Sequence, residues 1–344
     1  MATHLVWFRA DLRIHDNLAL AAACRDPHAE VLGLFIATPG QWRQHGMAPR
    51  QASFMVSHLH SLQAALAEKG IPLQIEHAAD FTASVALLAS ICRQRQVTHL
   101  FYNYQYEINE RQRDAAVEKT LAEVTCQGFD DSVLLPPGSV LTGSREMYKV
   151  FTPFKNAFIR RLQEALPECV AAPQVCAGGP IAAASEVKID YPQTPFDSEL
   201  FAADEKSAIA RLRGFCQQKA ADYEQQRDLP AIEGTSRLSP CLAVGALSPR
   251  QCLHRLRVEQ PRALDGEAGS VWLNELIWRE FYRHLMVYYP NLCKGRPFID
   301  WTDNVAWLDD KSALQAWQRG QTGFPIVDAA MRQLNATGWM HNRL

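Results

Sequence analysis

The sequence predicts an α/β domain built on a parallel sheet, followed by an all-α domain. Three observations predict it. Apolar runs of strand length alternate with helical stretches over residues 1–131. A connection rich in Pro and Gly comes next, and from Glu205 onward the apolar residues recur at helical spacing. A chain of 344 residues suits two domains, and 47% hydrophobic residues are ample for their cores.

The strand candidates are residues 4–9, 31–37, 72–77, 98–104 and 124–129. Between the second and third, Met55, Leu59, Leu62 and Leu66 form an i, i+4, i+7, i+11 stripe, the mark of a helix packed on one face. Strand–helix–strand alternation predicts a parallel sheet covered on both faces, with ligands bound beyond the carboxyl ends of its strands. Two polar segments fall there: Arg9–Asn17 after the first strand and Asn103–Arg113 after the fourth. No G-x-G-x-x-G dinucleotide fingerprint is present.

Residues 132–204 are expected as an interdomain linker draped over the surface, with one helical island near 152–165. Residues 205–344 form the helical domain. Ser239-Pro240 and Ser248-Pro249 each place Ser at an N-cap and Pro at the first helical position. The last residues, Trp339 to Leu344, read as a chain that stops in mid-helix.

Net charge is −2, so no global basic field announces nucleic acid. The halves differ mildly, with 17 Lys and Arg against 21 Asp and Glu in residues 1–203, and 18 against 16 in residues 204–344. Nine cysteines without a C-x-x-C pair argue for reduced thiols in the cytoplasm rather than a disulfide frame or a metal site. There is no signal-peptide core and no apolar run long enough to span a membrane.

The most informative stretch is Trp272–His284. In a helix, Glu275, Trp278, Arg279 and Tyr282 share one face, while Leu273, Leu276, Ile277 and Phe281 cover the other. Two readings stand: an aromatic core helix with a satisfied ion pair, or a pocket wall that stacks a flat ligand on Trp278 and hydrogen-bonds it through Glu275. Thr235-Ser236-Arg237-Leu238-Ser239 sets three hydroxyls and a guanidinium just before a helix start. That composition suits a phosphate group, and it equally suits a simple capping loop.

Several motifs, in order, carry a family resemblance: LVWFRADLRIHDN at 5–17, then NYQYEINERQRD, MYKVFTPFKNAF, YEQQRD, EGTSRLSPCLAVGALSPR, NELIWREFYRH, TGFPIVDAAMRQL and GWMHNRL. The chain resembles the DNA photolyase/cryptochrome family, specifically the class I bacterial cyclobutane pyrimidine dimer photolyases of enterobacterial type. The resemblance implies a Rossmann-like antenna-pigment domain at 1–131 and a helical domain at 205–344 that binds FAD and the DNA lesion. It implies light-dependent dimer repair, a carbon–carbon lyase reaction driven by an electron from photoexcited reduced FAD.

By the family pattern, Tyr223, Thr235, Ser236, Arg237, Leu238, Ser239 and Arg279 contact FAD. Trp278 stacks on the flipped-out dimer, and Glu275 hydrogen-bonds its base from a dry pocket that keeps the carboxyl protonated. Asn342 and Arg343 line the same region. Trp307 is the exposed end of a tryptophan electron chain, whereas Trp317 and Trp339 are packing residues. His45, Asn109, Glu110, Cys293 and Lys294 match the site of a methenyltetrahydrofolate antenna, with a deazaflavin as the alternative pigment. Further flavin contacts and the rest of the tryptophan chain are expected beyond Leu344, so residues 1–344 alone are expected to give a folded N-terminal domain and no stable flavin. The expected partner is DNA containing pyrimidine dimers, met by a monomer without membrane contact. The competing readings are a cryptochrome photoreceptor, a (6-4) photolyase, and a nucleotide-binding module without light chemistry.

Overall fold

The computed structural model describes residues 2–344 apart from 177, 184 and 185. Five parallel strands form one sheet: β1 (Thr3–Phe8), β2 (Glu30–Ala37), β3 (Leu73–His77), β4 (His99–Asn103) and β5 (Thr125–Phe129). Each lies within one residue of its expected span. The spatial order is β3-β2-β1-β4-β5, so the chain reverses direction across the sheet at β1, and the switch point lies between β1 and β4. β1 is buried along its whole length, as expected of a central strand covered on both faces.

Helices α1 (Leu18–Ala23), α2 (Pro39–Gln44), α3 (Pro49–Glu68), α4 (Phe81–Gln94) and α5 (Ile108–Thr120) connect the strands. The α3 stripe Met55, Leu59, Leu62 and Leu66 is buried with Val6 and Phe8 on one face of the sheet. On the other face Leu88 and Cys92 of α4 and Val117 of α5 pack with Leu5 and Trp7. Asp80 caps α4 by accepting Ala83 N–H at 2.8 Å.

The remaining helices are α6 (Phe151–Glu164), α7 (Glu205–Gln218), α8 (Tyr223–Gln226), α9 (Ser239–Val244), α10 (Pro249–Glu259), α11 (Ser270–Tyr288), α12 (Lys311–Arg319) and α13 (Pro325–Thr337). The helical island at 152–165 exists as α6 and is packed into the helical core rather than draped over the surface, whereas the described residues of 168–186 are largely exposed. Phe154, Phe158 and Leu162 recur at i, i+4, i+8 and are fully buried with Phe215, Leu253, Leu273 and Ile277 in the helical core. Farther along, Val187, Ile189 and Tyr191 pack on the sheet's core. The Pro-rich start of the connection finds its backbone partners on α11: Glu280 accepts Leu134 N–H at 2.9 Å, and His284 Nε2 lies 3.0 Å from Leu135 O.

Two helix ends also differ from expectation. Ser248 caps α10 in a full capping box with Gln251, as its spacing predicts. Ser239, by contrast, is the first residue of α9 and makes no capping bond. α13 stops at Thr337, closed by Gly338 at φ 79°, so Trp339–Leu344 is not helical.

The helical body meets the sheet domain through a buried ionic junction. Arg13 pairs with Asp131, and Arg250 reaches Asp16 Oδ2 at 3.0 Å and Asp131 Oδ1 at 2.7 Å. Beside it, Leu12 N–H donates to Val244 O at 3.1 Å. Gly245 has φ 71°, and a Cβ there would stand 2.0 Å from Ala10 O, so only glycine allows the two backbones this close.

Candidate functional site

Helix α11 organises one candidate site. Leu273, Leu276, Ile277 and Phe281 are buried, as the pattern predicts. Glu275, Trp278 and Arg279 are half-buried and Tyr282 is exposed. Each reaches a different neighbour. Arg227 Nη1 donates to Glu275 Oε1 at 2.6 Å. Trp278 stacks on Phe151 with centroids 3.5 Å apart and planes 7° from parallel, and Tyr282 overlaps it at 5.7 Å. Arg279 donates to Ser132 O at 2.7 Å, and burial, with Arg283 close by, pushes its guanidinium down to about 10. The dry pocket expected around Glu275 is not found: its side chain is 35% exposed and sits against a cation.

The Thr235–Ser239 loop has the features of a polar cradle. Arg237 adopts φ 51°, a left-handed conformation that costs a non-glycine residue about 1–3 kcal/mol. It is held by an ion pair with Glu233 and by the Trp339 ring, 4.6 Å from its guanidinium. Its Nε is buried without a partner, and among the described residues the Thr235, Ser236 and Ser239 hydroxyls make no protein hydrogen bond. Leu238 is buried in the helical core. Uncommitted hydroxyls and an unpaired guanidinium N–H are the donors that a phosphate-bearing cofactor requires, so the loop fits such a group. Tyr223 is half-buried, and burial, with Glu275 nearby, pushes its phenol up to about 12.

The end of the chain folds back toward the same helix. His341 is buried, with Nε2 unpartnered. Asn342 is exposed, and Arg343 pairs with Asp228, whose Oδ1 also lies 3.6 Å from Arg227 Nε. Arg343 and Glu275 are therefore joined through Arg227 and Asp228. Sequence reasoning missed that pair, although both stand in the YEQQRD motif. Trp307 is 85% exposed. Trp317 is largely exposed too, against the expectation of a packing role, whereas Trp339 packs on the helical core.

A second candidate site lies at the carboxyl end of the sheet. His45, Asn109, Glu110 and Cys293 line one cavity of about 510 Å³, together with Trp42 and Phe81; Lys294 is exposed and is not part of its wall. Glu110 stands in the first turn of α5, and burial, with the Glu107 carboxylate beside it, raises its carboxyl above the ordinary range. Arg113, in the same wall, lies between the rings of Trp7 and Phe81, 4.7 Å from each. Much of the two polar segments after β1 and β4 is committed to holding them together rather than free for a ligand. Asn103 Nδ2 donates to Asp11 Oδ2 at 2.6 Å and to Asn17 Oδ1 at 2.9 Å.

Glu280 is the buried acid that the sequence reading passed over. Desolvation pushes its carboxyl up to about 7, against the opposing pull of Arg279, and its Oε1 has no hydrogen-bond partner.

A doubly wound sheet with a cavity at its switch end, joined to a helical body that carries a polar cradle, defines a two-domain protein built to bind nucleotide-like cofactors. Family models narrow the class: residues 4–173 match DNA photolyase, and residues 272–344 match the FAD binding domain of DNA photolyase. The chain is 65% identical over 344 residues to the deoxyribodipyrimidine photo-lyase of Escherichia coli, across 100% of this chain and 73% of that protein. It is 65% identical over 345 residues to the Salmonella typhimurium protein of the same name, with the same coverage. A Synechocystis cryptochrome structure superposes with a TM-score of 0.86 at 26% identity, over 100% of this chain and 73% of that one. The chain belongs to the DNA photolyase family.

Proposed function

We infer that the protein repairs cyclobutane pyrimidine dimers in DNA in a light-dependent lyase reaction. The observation that carries this reading is 65% identity, along the whole chain, to two deoxyribodipyrimidine photo-lyases. The cryptochrome shares the fold at 26% identity, so fold alone does not separate repair from signalling, and sequence identity favours repair.

A dimer stacked in duplex DNA cannot reach a buried cofactor, and flipping the target out of the stack is the route that photolyases share with other base-acting enzymes. Trp278, oriented by Phe151, is the platform for the flipped dimer, and stacking of this kind contributes roughly 1–3 kcal/mol per base. Glu275 hydrogen-bonds the base once it exchanges Arg227 for it, and Asn342 and Arg343 hold the adjoining strand. Tyr223, the Thr235–Ser239 loop and Arg279 would hold FAD, the free hydroxyls and the unpaired Arg237 Nε–H offering donors suited to its phosphates. Bound and reduced, FAD would supply the light-driven electron transfer on which cleavage of the dimer depends. Trp307 is the solvent end of the path that keeps the cofactor reduced.

The cavity lined by His45, Asn109, Glu110 and Cys293 is the antenna site, with methenyltetrahydrofolate as its pigment and Lys294 at the rim. On this reading residues 1–131 are the antenna domain and residues 205–344 the repair domain of a monomeric, cytoplasmic protein. Among the described residues, no helix is long and apolar enough to cross a membrane.

The test is repair of thymine dimers in a defined duplex under blue light. Restoration of the two thymines supports the reading, and bound flavin without repair would move the protein to the photoreceptor side. Glu110→Ala is expected to abolish folate retention while slower flavin-driven repair continues. Loss of all repair with flavin retained would contradict an antenna role.

A further inference from the structure

Arg227, Asp228, Glu275 and Arg343 come from three separate stretches of chain and form one open string of charges. Arg343 donates its Nε–H to Asp228 Oδ1, and Arg227 Nε lies 3.6 Å from the same oxygen. Arg227 Nη1 holds Glu275 at 2.6 Å. Asp228 is 59% exposed and Arg343 41%. Exposed pairs of this kind contribute only about 0–1 kcal/mol to folding, so stability gives little reason for the arrangement.

Geometry gives a better reason. One oxygen anion between two guanidiniums is how arginines take a phosphate. These two arginines border the residues assigned above to the flipped base, where the DNA backbone must pass. Asp228 therefore sits where a phosphate oxygen is expected. Among the described residues, Arg343 makes no other ion pair.

We propose that Asp228 is an internal stand-in for a DNA phosphate, occupying Arg227 and Arg343 in the free protein and giving way to the backbone when DNA binds. The inference rests on the repair reading. Three consequences follow from charge alone. Every DNA encounter must first break the Asp228 contacts, so the carboxylate lowers affinity for any duplex. The effect falls on backbone binding, so damaged and intact DNA are weakened alike. Movement of Arg227 to a phosphate also uncovers Glu275 Oε1 for the base.

The experiment measures binding of the full chain, in the dark, to an intact duplex and to one carrying a thymine dimer, by fluorescence polarisation over a salt series. The parent is compared with Asp228→Asn and Asp228→Glu, after thermal melts establish that all three are folded. Asp228→Asn is expected to bind both duplexes several-fold tighter. Its plot of log K against log salt should lie above the parent's at every salt concentration, since both complexes neutralise the same phosphates. Asp228→Glu keeps the charge and should stay near the parent. Weaker binding by Asp228→Asn, restored in Asp228→Glu, would instead make Asp228 a support for the arginines and overturn the proposal. Unchanged affinity overturns it as well. A parent that binds DNA without preferring the dimer undermines the repair reading, while tightening in Asp228→Asn would still support the phosphate stand-in. A parent that binds no DNA overturns both.

Discussion

Two of the arginine–carboxylate networks in this molecule are built from the same kinds of group and put to opposite use. Arg13, Asp16, Asp131 and Arg250 form the junction between the sheet and the helical body, and no side chain among them is more than 4% exposed. Arg227, Asp228, Glu275 and Arg343 lie where water reaches them, 25–59% exposed. Burial makes the first network all-or-nothing. Each charge there has lost its water and must be repaid in full by its neighbours. Arg13 does so with Gly245 O at 2.9 Å, Asp16 O at 2.6 Å and the Asp131 carboxylate. Burial alone would raise the Asp131 carboxyl, but Arg13 and Arg250 together hold it below the ordinary range. In the second network water screens every pair, so partners can be exchanged at little cost. Only such a network can trade an internal carboxylate for a ligand.

The largest effect should come from cutting the buried network. Arg250→Ala leaves Asp16 buried without its cation and Asp131 with Arg13 alone, and it is expected to cost about 3–5 kcal/mol in urea unfolding. A loss under about 1 kcal/mol would mean that water enters the junction, and the contrast with the surface network would collapse.

Glu280 sharpens the comparison, because it is buried without a full set of partners. Its folded carboxyl is raised from 4.5 to about 7, so the folded state keeps a proton that the unfolded state has already released. Below about pH 4.5 both states are protonated and no penalty applies. Between about 4.5 and 7 stability should fall as pH rises, by up to roughly 3 kcal/mol, and then level off. Glu280→Gln should flatten this slope and unfold later than the parent at pH 8. An unaltered pH–stability curve would show that Glu280 is not its source.

On the exposed side the losses should fall on binding rather than folding. Trp278→Ala is expected to weaken affinity for dimer-bearing duplex by roughly 1–3 kcal/mol, five- to a hundredfold, with flavin still bound. The variant also loses the Phe151 stack, so a melting curve must accompany the titration. Unchanged lesion affinity would remove Trp278 from the site.

The smallest effect belongs to Arg262, which pairs with Glu267 at 2.6 Å on open surface. Arg262→Ala should shift unfolding by no more than about 1 kcal/mol. A larger loss would mean that exposure is a poor guide to which ion pairs matter here.

Much of this protein was legible in its sequence, for a local reason. Strand and helix periods are written within a few residues, so all five strands fall within a residue of expectation, and α11 turns Leu273, Leu276, Ile277 and Phe281 inward as its spacing requires. The Ser248 cap is equally local. Short motifs carried the family, and with it the grouping of His45, Asn109, Glu110 and Cys293 around one cavity. What a charged side chain meets is a different matter, because its partner is chosen across the chain. Glu275 finds Arg227 48 positions away, Arg343 finds Asp228 at 115, and Arg250 finds Asp131 at 119. No local pattern marks those pairs, so only the tertiary structure decided that Glu275 sits beside a cation and that Arg250 is a buried bolt. The same holds for residues 132–204. Their Pro and Gly content reads as a surface connection, but Phe154, Phe158 and Leu162 are drawn into the helical core, because burying them against α11 removes more apolar surface from water than any exposed path could.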